Sequence, residues 1–516
     1  MARAFSVPAA TNVAAAPPHL DRAAFDQLAA NGRTVAVHRT VLMDNLTPLG
    51  VFSAIRKEGE PSFFFESARG GPRIARYSFV GTSPSKTITD IGGKLTLHGE
   101  GRLPAGDLFQ VLRAECKAAN AVRPRGVPRF AGGWVGFCGW DLARGAVGLP
   151  RRRAEHEALP ADGLPDAVFH RFDDVIAFDH LENKVLLIVN VEIGNDPSAA
   201  WRTAQARLDG MEGQLRRTVD MPPPPKPVER DWEPVALASA LPFEEQVALA
   251  KKHLVAGDIF QVVLSRTLAM QTDATPLAIY RALAAINPSP YLLYFETSGA
   301  TIVGSSPEPL LRVQDGRVHI RPLAGTRARG TTREADRTKE FDLLESEKER
   351  AEHLMLVDLS RNDVGQVAKL GSVSVDEFLV IERYAHVMHL VSHVSGELDS
   401  SFDRFDALKA GFPAGTMSGA PKRRAVEIIG EVEGNARGLY AGGLGYIDLA
   451  GDHDRAGGLD MCIAIRCLVH RNREILVRTG AGIVFDSDPE AERIETETKA
   501  RSLLAAVRLA ERGLRL

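Results

Sequence analysis

The chain lacks the features that mark several classes of protein. Its 516 residues include four cysteines, and these have no Cys-x-x-Cys spacing, so neither a zinc site nor a disulfide framework is expected. Their apolar neighbours predict buried thiols and a reducing, cytoplasmic location. The four are Cys116, Cys138, Cys462 and Cys467.

Charge of one sign and long apolar runs are also missing. The 63 basic and 66 acidic residues leave a net charge of −3, so no overall field would attract nucleic acid or an anionic membrane. No segment reaches the roughly 18 apolar residues of a membrane span. Residues 1–20 are rich in Ala and Pro but lack the charged and apolar regions of a signal peptide, which predicts a disordered tail.

Nucleotide-binding loops are not expected either. The glycines at 132, 133, 136 and 139 have no surrounding βαβ pattern and no acidic residue at the usual offset, and no Gly-x-x-x-x-Gly-Lys-Ser/Thr motif occurs. These glycines therefore indicate close approach of backbones. Gly480 and Gly482, between a strand and a helix cap, are better candidates for holding an anionic ligand through exposed N–H groups.

What is present is a globular composition, 44% hydrophobic and 25% charged, divided by a proline-rich segment at 221–227. That segment cannot join a sheet and favours an extended linker. The predicted organisation is a tail at 1–20, a regulatory or structural half at 21–218, a linker at 219–234 and a catalytic half at 235–516.

Strand and helix patterns predict the α+β class, with antiparallel sheets packed together and helices outside. Short strands joined by tight turns exclude a doubly wound parallel sheet. Predicted strands are 34–37, 62–65, 184–191, 310–313, 318–323, 461–469 and 475–484; predicted helices are 108–116 and 199–215. The blocks Phe-Ala-Gly-Gly-Trp-Val-Gly-Phe at 130–137 and Tyr-Ala-Gly-Gly-Leu-Gly-Tyr at 440–446 echo each other, either through duplicated halves or because two Gly-rich strands have bulky neighbours.

Two acidic pairs occur in strongly helical segments. A helix is predicted over 338–358, with Glu349 and Glu352 on one stripe, and a second begins at an Asp488 cap and carries Glu492 and Glu495. Acidic pairs three residues apart are common on solvated surface helices. Two such pairs together also form a set of oxygen ligands that suits Mg²⁺ better than Zn²⁺.

A series of motifs resembles the chorismate-utilising enzymes over residues 240–510, and more loosely before them. The blocks are Gly257 to Arg266, Gly304-Ser305-Ser306-Pro307-Glu308, Pro322-Leu323-Ala324-Gly325-Thr326, Lys348 to His353, Val387 to Ser392, Pro413-Ala414-Gly415-Thr416, Cys462 to Arg466 and Glu495-Thr496-x-x-Lys499-Ala500. The resemblance is greatest to the family members that make anthranilate. It implies an Mg²⁺-dependent lyase of tryptophan biosynthesis.

Two positions separate the subgroups of this family. Enzymes that add water to chorismate resemble one another in having a basic Lys where this chain has Gln261, which cannot deprotonate water. Enzymes that make 4-amino-4-deoxychorismate commonly have a nucleophilic Lys where this chain has Ala324. The reaction that remains for this chain is amination of chorismate at C2 by ammonia, followed by elimination of pyruvate. The alternatives are 4-amino-4-deoxychorismate synthesis and a catalytically silent, tryptophan-sensing scaffold.

The resemblance assigns roles to individual residues. Glu308 is implied as the acid for the departing C4 hydroxyl, which would need a raised pKa, and His389 as an aid to pyruvate elimination, with Gln261 beside them. The implied Mg²⁺ ligands are Glu349, Glu352, Glu492 and Glu495. The implied substrate-binding residues are Thr326, Thr416, Tyr440, Arg466, Gly480, Gly482 and Lys499. Without the resemblance, His389 would be interpreted as a core residue, Arg466 as a charge on an edge strand and Lys499 as an intrahelical ion-pair partner of Glu495.

A regulatory site and a partner are also implied. The implied L-tryptophan site comprises Glu66, Ser67, Asn287, Pro288, Ser289, Pro290 and Tyr291. Without the resemblance, these residues would be a buried strand and a rigid turn. The chain has no recognisable glutaminase segment, so it should use ammonia alone and glutamine only with a separate glutamine amidotransferase subunit.

Overall fold

The computed structural model places most of the chain. The described residues are 19–42, 45–67, 76–124, 126–151, 161–217, 227, 233–237, 239, 241–384, 387–450 and 457–515. Nearly all of the tail predicted at 1–20, and most of the linker predicted at 219–234, lie outside them.

The first half alternates strands and helices. Its helices are α1 (Arg22–Ala29), α2 (Pro48–Ile55), α3 (Leu108–Ala119), α4 (Ala143–Ala146) and α5 (Pro197–Arg217), with a 3-10 turn at Trp140–Leu142. Its strands are β1 (Thr34–Val41), β2 (Ser62–Glu66), β3 (Tyr77–Thr82), β4 (Lys86–Ile91), β5 (Lys94–His98), β6 (Ala121–Val122), β7 (Gly133–Cys138), β8 (Ala167–Phe172), β9 (Asp174–Asp179) and β10 (Lys184–Glu192).

The second half begins at β11 (Val235–Ala236). Its helices are α6 (Phe243–Ala256), α7 (Pro276–Ile286), α8 (Arg333–Glu345), α9 (Glu347–Gly365), α10 (Arg404–Gly411), α11 (Gly415–Ser418), α12 (Lys422–Glu433) and α13 (Pro489–Glu511). Its other strands are β12 (Gln261–Gln271), β13 (Tyr291–Thr297), β14 (Ala300–Ser306), β15 (Pro309–Gln314), β16 (Arg317–Ile320), β17 (Leu323–Ala328), β18 (Ser374–Arg383), β19 (Val387–Glu397), β20 (Gly419–Ala420), β21 (Gly443–Asp448), β22 (Leu459–Ile463), β23 (Cys467–Arg471) and β24 (Glu474–Ile483).

Two large sheets organise these strands. Sheet A runs β11-β12-β24-β23-β14-β13-β2-β3-β9-β10-β1-β6, with β20 beside β12. Sheet B runs β17-β19-β16-β15-β22-β21-β7-β8-β4-β5, with β18 beside β19. Apart from the parallel pair β1–β6, the pairings in these sheets are antiparallel. The predicted α+β class with antiparallel sheets is confirmed.

The order of elements supports duplicated halves. The series α1-β1-α2-β2-β3-β4-β5-α3-β7-β8-β9-β10-α5 recurs as α6-β12-α7-β13-β14-β15-β16-α10-β21-β22-β23-β24-α13. Sheet neighbours repeat as well, since β1-β10-β9-β3-β2 corresponds to β12-β24-β23-β14-β13. The second half also contains an insertion between β16 and α10, formed by β17, α8, α9, β18 and β19. The similar Gly-rich blocks at 130–137 and 440–446 form most of β7 and β21, which occupy the same place in the two repeats.

The two halves meet through equivalent strands. In sheet A, β2 pairs with β13; in sheet B, β7 pairs with β21, where Gly136 lies opposite Gly445. A Cβ at Gly136 would lie 1.9 Å from the carbonyl oxygen of Val168, so only glycine fits there. One buried cluster includes both Leu112 and Val262. The predicted division at the linker therefore separates repeats that share sheets and core, and its regulatory and catalytic labels stay predictions.

Two predicted elements are each divided in the structure. The helix expected over 338–358 breaks at Ser346, whose backbone is extended and whose hydroxyl accepts a hydrogen bond from the N–H of Glu349. The strand expected over 461–469 is two strands, β22 in sheet B and β23 in sheet A. Periodicity shows neither break, because capping of a new helix and transfer between sheets depend on single residues.

Other sequence predictions match the structure. Asp488 caps α13 and accepts a hydrogen bond from the N–H of Ala491, with Pro489 as the first helical residue. All four cysteines are buried free thiols. Among the described residues, no helix combines the length and apolarity required for a membrane crossing.

Candidate active site

The candidate site lies where the chain passes between the two sheets. Glu308 follows β14 as the chain leaves sheet A for sheet B, and Arg466 precedes β23 as the chain returns. These connections are hydrogen-bonded at both ends: the N–H of Ser305 donates to the oxygen of Arg466 at 3.0 Å, and the N–H of Ile463 donates to the oxygen of Glu308 at 3.0 Å. Arg466 has a φ of 53°, which turns the chain sharply between sheets.

Glu308 is a buried carboxyl group with 6% of its surface exposed. Burial raises its pKa to about 8, although the hydroxyl of Thr416 and the ammonium of Lys499 oppose the rise. The side chain is therefore mainly protonated at neutral pH and has a proton to donate. This is the property that the sequence resemblance required of it.

His389 lies on β19 with one ring nitrogen held in place. Its Nδ1 is 3.2 Å from the carbonyl oxygen of Gly325 and 3.0 Å from the hydroxyl of Thr326. Because a carbonyl only accepts, Nδ1 carries the hydrogen and Nε2 carries the lone pair. Burial lowers the pKa of His389, and Arg466 adds to the effect, so the ring is a neutral base.

Arg466 and Lys499 are the cations of the site. The Arg466 guanidinium donates to the carbonyl oxygen of Lys499 at 3.1 Å, and Lys499 Nζ donates to the carbonyl oxygen of Gly480 at 2.9 Å. Lys499 also forms the intrahelical pair with Glu495 at 2.6 Å. Arg466 is half-buried beside Tyr440 and Glu495, so it is not an edge-strand charge. Two cations in one partly buried site suit a substrate with two carboxylates.

Gly480 and Gly482 lie inside β24, paired with Ser265 and Val263, so they belong to the strand predicted over 475–484 and do not follow it. The pairing of β23 with β24 ends at Val477. The residues of β24 after Val477 therefore have no partner on β23. A Cβ at Gly480 would lie 2.5 Å from the Leu264 oxygen and 2.7 Å from the Tyr440 hydroxyl; one at Gly482 would lie 2.7 Å from Gln261 Nε2. The glycines thus allow Tyr440 and Gln261 to approach the strand.

Alanine substitutions should separate these two positions. Gly480→Ala forces a backbone carbonyl and Tyr440 to move, so we expect the free energy of unfolding to fall by about 1–3 kcal/mol and kcat to fall about tenfold. Gly482→Ala displaces only the flexible Gln261 amide, and its stability should change by less than about 1 kcal/mol. Urea unfolding and initial rates measure both effects. Equal destabilisation by the two substitutions would contradict the prediction.

The four predicted metal ligands face one another from α9 and α13. Burial raises the pKa of Glu352, and the nearby carboxylates of Glu349, Glu495 and Glu492 raise it further. Burial likewise raises the pKa of Glu492, with a contribution from Glu495. Mutual repulsion among acidic groups is relieved by a cation between them.

The acids are not gathered to metal-ligand distances in this conformation. Within the described ranges, no three His, Cys, Asp or Glu side chains are grouped closely enough to hold a metal ion. Arg327 pairs with Glu349 at 2.8 Å, and Lys499 pairs with Glu495 at 2.6 Å. The four glutamates fit Mg²⁺ chemically, because they offer only carboxylate oxygens and their negative charge is partly paired with side-chain cations.

The site residues form one continuous set of neighbours. Gly325, at a bulge in β17, lies between His389 and Glu349. Its carbonyl oxygen is 3.2 Å from His389 Nδ1, and a Cβ on it would be 3.0 Å from Glu349 Oε2.

A model of the chorismate binding enzyme family matches residues 60–505. The chain belongs to this family.

Whole-length relatives of this chorismate-binding chain agree with one another. It is 42% identical to the anthranilate synthase component 1 of Acinetobacter calcoaceticus, over 95% of this chain and 98% of the relative. The crystal structure of anthranilate synthase component I from Streptococcus pneumoniae TIGR4 is 31% identical and covers 90% of this chain and 98% of its own, with a TM-score of 0.70. The menaquinone-specific isochorismate synthase from Escherichia coli, at 17% identity and a TM-score of 0.68, covers 92% and 95% and shows the shared fold.

A second cavity lies between the sheets where the two repeats meet. Four residues of the implied regulatory site line it, Glu66, Ser67, Pro290 and Tyr291, whereas Asn287, Pro288 and Ser289 are not among its lining residues. The sequence analysis missed the rest of the lining: Phe65, Arg76, Tyr77, Phe79, Arg129, Leu292, Leu293, Arg312, Leu444, Gly445, Tyr446 and Asp460. Leu444, Gly445 and Tyr446 belong to the Gly-rich block at 440–446, and Phe65 directly precedes Glu66.

The cavity combines aromatic walls with paired charges. The hydroxyl of Tyr291 donates to Asp460 at 2.9 Å, and Arg312 donates to the same carboxylate at 2.8 Å. The rings of Phe79 and Tyr446 are 5.8 Å apart. Ser67 has a buried hydroxyl with no hydrogen-bond partner among the described residues. An aromatic amino acid has the ring, amine and carboxylate to match these groups.

The first repeat differs from the second at two of the candidate site positions. Gly81-Thr82-Ser83-Pro84-Ser85 leads from β3 to β4 just as Gly304 to Glu308 leads from β14 to β15. The first repeat therefore has serine where the second has the acid Glu308. Similarly, Asp173 occupies the β8–β9 connection that corresponds to the connection containing Arg466. Comparing these two short blocks in the sequence could have revealed this difference.

Proposed function

We propose that this chain aminates chorismate at C2 with ammonia and then eliminates pyruvate, forming anthranilate in the first step of tryptophan biosynthesis. The observation that carries the proposal is the neutral, buried Glu308 in one site with the neutral base His389 and the cations Arg466 and Lys499. The predicted reaction, as distinct from the role of each residue, is confirmed by the agreement of the whole-length relatives.

The first step replaces the C4 oxygen by nitrogen at C2. As the C2–N bond forms, the ring double bonds shift and the C4–O bond breaks. Glu308 donates its proton to the departing oxygen, which leaves as water, and the attacking nitrogen releases one proton as it becomes an amine. Arg466 and Lys499 hold the two substrate carboxylates during this step, while burial keeps Glu308 protonated.

The second step makes the ring aromatic. The hydrogen on C2 leaves as a proton, its electron pair joins the ring, and the C3–O bond breaks to release the enolate of pyruvate, which takes up one proton on carbon and becomes pyruvate. His389 Nε2 is placed to assist this proton transfer, because Nδ1 is fixed by Gly325 and Thr326. Thr416, Tyr440 and Gly482 complete the substrate-binding surface.

At the two positions that separate the subgroups of the family, the described residues offer no base or nucleophile for the alternative reactions. Gln261, at the start of β12 beside Gly482, has an amide that cannot deprotonate water. Ala324, on β17, cannot form a covalent adduct, which disfavours 4-amino-4-deoxychorismate synthesis. A silent scaffold would have no use for a buried acid, a fixed histidine and four facing carboxylates.

Magnesium is the proposed cofactor, held by Glu349, Glu352, Glu492 and Glu495. A bound Mg²⁺ would neutralise the ring carboxylate of chorismate and draw electron density from it. What supports the assignment is the mutual repulsion of these carboxylates and their oxygen-only chemistry. Arg327 pairs with Glu349 and Lys499 pairs with Glu495.

The proposed setting of the enzyme is the cytoplasm, which four buried free thiols support. Its proposed partner is a separate glutamine amidotransferase subunit that supplies ammonia. We also propose that residues 21–218 are mainly regulatory and residues 235–516 catalytic, because Glu308, His389, Arg466 and the four acids all lie after the linker. Neither nucleic acid nor membrane is part of the proposed function.

The cavity between the repeats is proposed as an inhibitory L-tryptophan site. The segment next to the cavity contacts the segment that carries the proposed acid. The hydroxyl of Ser289 donates to the carbonyl oxygen of Ser306 at 3.0 Å, and Ser306 comes two residues before Glu308. The Ser305 hydroxyl likewise donates to the carbonyl oxygen of Asn287, so Asn287 and Ser289 connect the cavity segment to the segment that carries Glu308, although they do not line the cavity. Tryptophan would inhibit if it bound the less active arrangement more tightly.

Incubating the purified chain with chorismate, Mg²⁺ and ammonium, and separating the products, tests the reaction. We expect anthranilate and equimolar pyruvate, and no product when EDTA is added. An aminated product that never becomes aromatic would assign the chain to 4-amino-4-deoxychorismate synthesis. Unchanged chorismate in every condition would favour the scaffold.

Filling the second cavity should remove feedback without removing synthesis. Ser67→Leu would occupy the space in front of its unpaired hydroxyl, so we expect half-maximal inhibition to need at least about 100-fold more tryptophan, with kcat changed less than twofold. Initial rates over a tryptophan series measure this shift. Ser401→Leu, on an exposed turn, is the matched control and should leave inhibition unchanged. Undiminished inhibition of Ser67→Leu would place the tryptophan site elsewhere.

A further inference from the structure

A buried hydrogen bond links the acid-bearing helix α9 to the strand that carries His389. His353 follows Glu352 directly and comes one turn after Glu349, and its ring has no exposed surface. Its Nε2 is 2.7 Å from the hydroxyl of Ser392 on β19. Neither His353 nor Ser392 has a role in the reaction described above.

The side chains of Ser392 and His389 lie on opposite faces of β19. Side chains three apart on a regular strand point to opposite faces, and the irregularities here lie on β17 and β18, leaving β19 continuous. His389 therefore faces Thr326 and Gly325 on the catalytic side, while Ser392 faces α9. The pair His353–Ser392 will be called the clamp.

Several segments meet at the clamp. The Ser392 hydroxyl also accepts a hydrogen bond from the N–H of Leu379 at 3.1 Å, at a bulge in β18 where Leu379 has a φ of 53°. The backbone N–H of Ser392 donates to the oxygen of Pro322 at 3.2 Å, just before β17. One hydroxyl group and its backbone thus tie β18, β19 and the entry to β17 to helix α9.

Other contacts between α9 and β19 give little control over register. A Cβ at Gly396 would lie 2.8 Å from Val364 of α9, and Val394 shares a buried apolar cluster with Val364 and Val367. Such apolar packing is non-directional and tolerates small displacements along the strand. A buried hydrogen bond with a short side chain fixes one arrangement.

We propose that the His353–Ser392 clamp is a positioning device that fixes Glu349 and Glu352 relative to His389, so that the aminated intermediate is presented to His389 before it can leave. The inference rests on the proposed role of His389 in the second step. Without the clamp, α9 and its acids can shift along β19. Substrate held by α9 is then misaligned with the His389 ring, whose position Gly325 and Thr326 still define. Amination continues, and elimination is impaired.

The test measures the ratio of aminated, non-aromatic intermediate to anthranilate released per turnover. This ratio does not depend on how much of the protein is folded, so a loss of stability alone leaves it unchanged. We expect His353→Leu and Ser392→Ala to raise the ratio at least about fivefold over the wild type. His353→Gln retains a hydrogen-bonding group toward Ser392 and should restore most of the normal ratio.

Two reference variants complete the experiment. His180→Gln removes a similar pair from the first repeat, where Nε2 lies 2.7 Å from the Ser78 hydroxyl, and should leave the product ratio unchanged. His389→Asn reports on the proposed role of His389 itself and should release mainly the intermediate. If His389→Asn releases intermediate while both clamp variants keep the wild-type ratio, the clamp is only structural and the inference is overturned.

If His389→Asn releases no intermediate, the proposed role of His389 fails, and the clamp is judged by substrate affinity. A displaced acid helix should raise the chorismate KM of His353→Leu at least about fivefold, with His353→Gln close to the wild type. An unchanged KM in that case overturns the inference. The two failures are therefore distinguishable.

Discussion

Replacing Glu308 with glutamine is expected to lower kcat about 10³-fold while leaving chorismate binding nearly unchanged. The amide keeps the size and hydrogen-bonding shape of a protonated carboxyl group but cannot transfer a proton to the C4 oxygen. Because the wild-type side chain is mostly neutral below its pKa of about 8, the substitution removes little charge from the site at neutral pH. Stopped-flow anthranilate fluorescence and calorimetric titration with chorismate measure the two quantities.

The pH dependence gives an independent check on Glu308. Since the protonated form is the active one, wild-type kcat, referred to free ammonia, should be level below about pH 8 and fall about tenfold per pH unit above it. The folded pKa is raised from 4.5, so this carboxyl group stabilises the fold less as pH rises from about 4.5 through 8. The glutamine variant should lack both trends.

A matched control is available for this substitution. Glu511 is a buried acid on α13 that accepts a hydrogen bond from Thr272, away from the candidate site. Glu511→Gln should retain kcat within about twofold. If Glu308→Gln keeps more than about a tenth of the wild-type kcat, another group must protonate the leaving oxygen, and the proposed mechanism would need a different acid.

Replacing Glu352 with glutamine should raise the Mg²⁺ concentration needed for half-maximal activity by about 100-fold or more. Glu352 is the acid whose pKa is raised by all three of its neighbours, after burial, so it lies among them and its loss leaves the set incomplete. EDTA should abolish activity in the wild type, and excess Mg²⁺ should restore it. Rates over a magnesium series measure the shift.

Folding and metal binding can be separated in this experiment. Without Mg²⁺, Glu352→Gln should be as stable as the wild type or more stable, because one of several mutually repelling carboxylates has been removed. Glu345→Gln is the control: the sequence periodicity places Glu345 on the same stripe, but the break at Ser346 puts it on α8, where it is exposed. An unchanged magnesium requirement in Glu352→Gln would mean that the four acids are a solvated surface.

The short blocks of the sequence predicted most of the site. Glu308, His389, Arg466 and Lys499 do lie together, because each belongs to a motif whose residues are fixed by the chemistry of one substrate. The lining of the second cavity was predicted only in part. Arg312, Tyr446 and Asp460 come from three different strands and Arg76 directly precedes a fourth, and no local pattern links strands that become neighbours only when the sheets form.

By itself, the sequence determined the α+β class and the family and named the candidate site residues, since these depend on local periodicity and on residue types in short motifs. Tertiary structure alone decided the passage of the chain between sheets at Arg466 and the raised pKa of Glu308. Those properties arise from burial and from contacts between residues far apart in the chain. A clamp between His353 and Ser392, 39 residues apart, belongs to the same class of contacts.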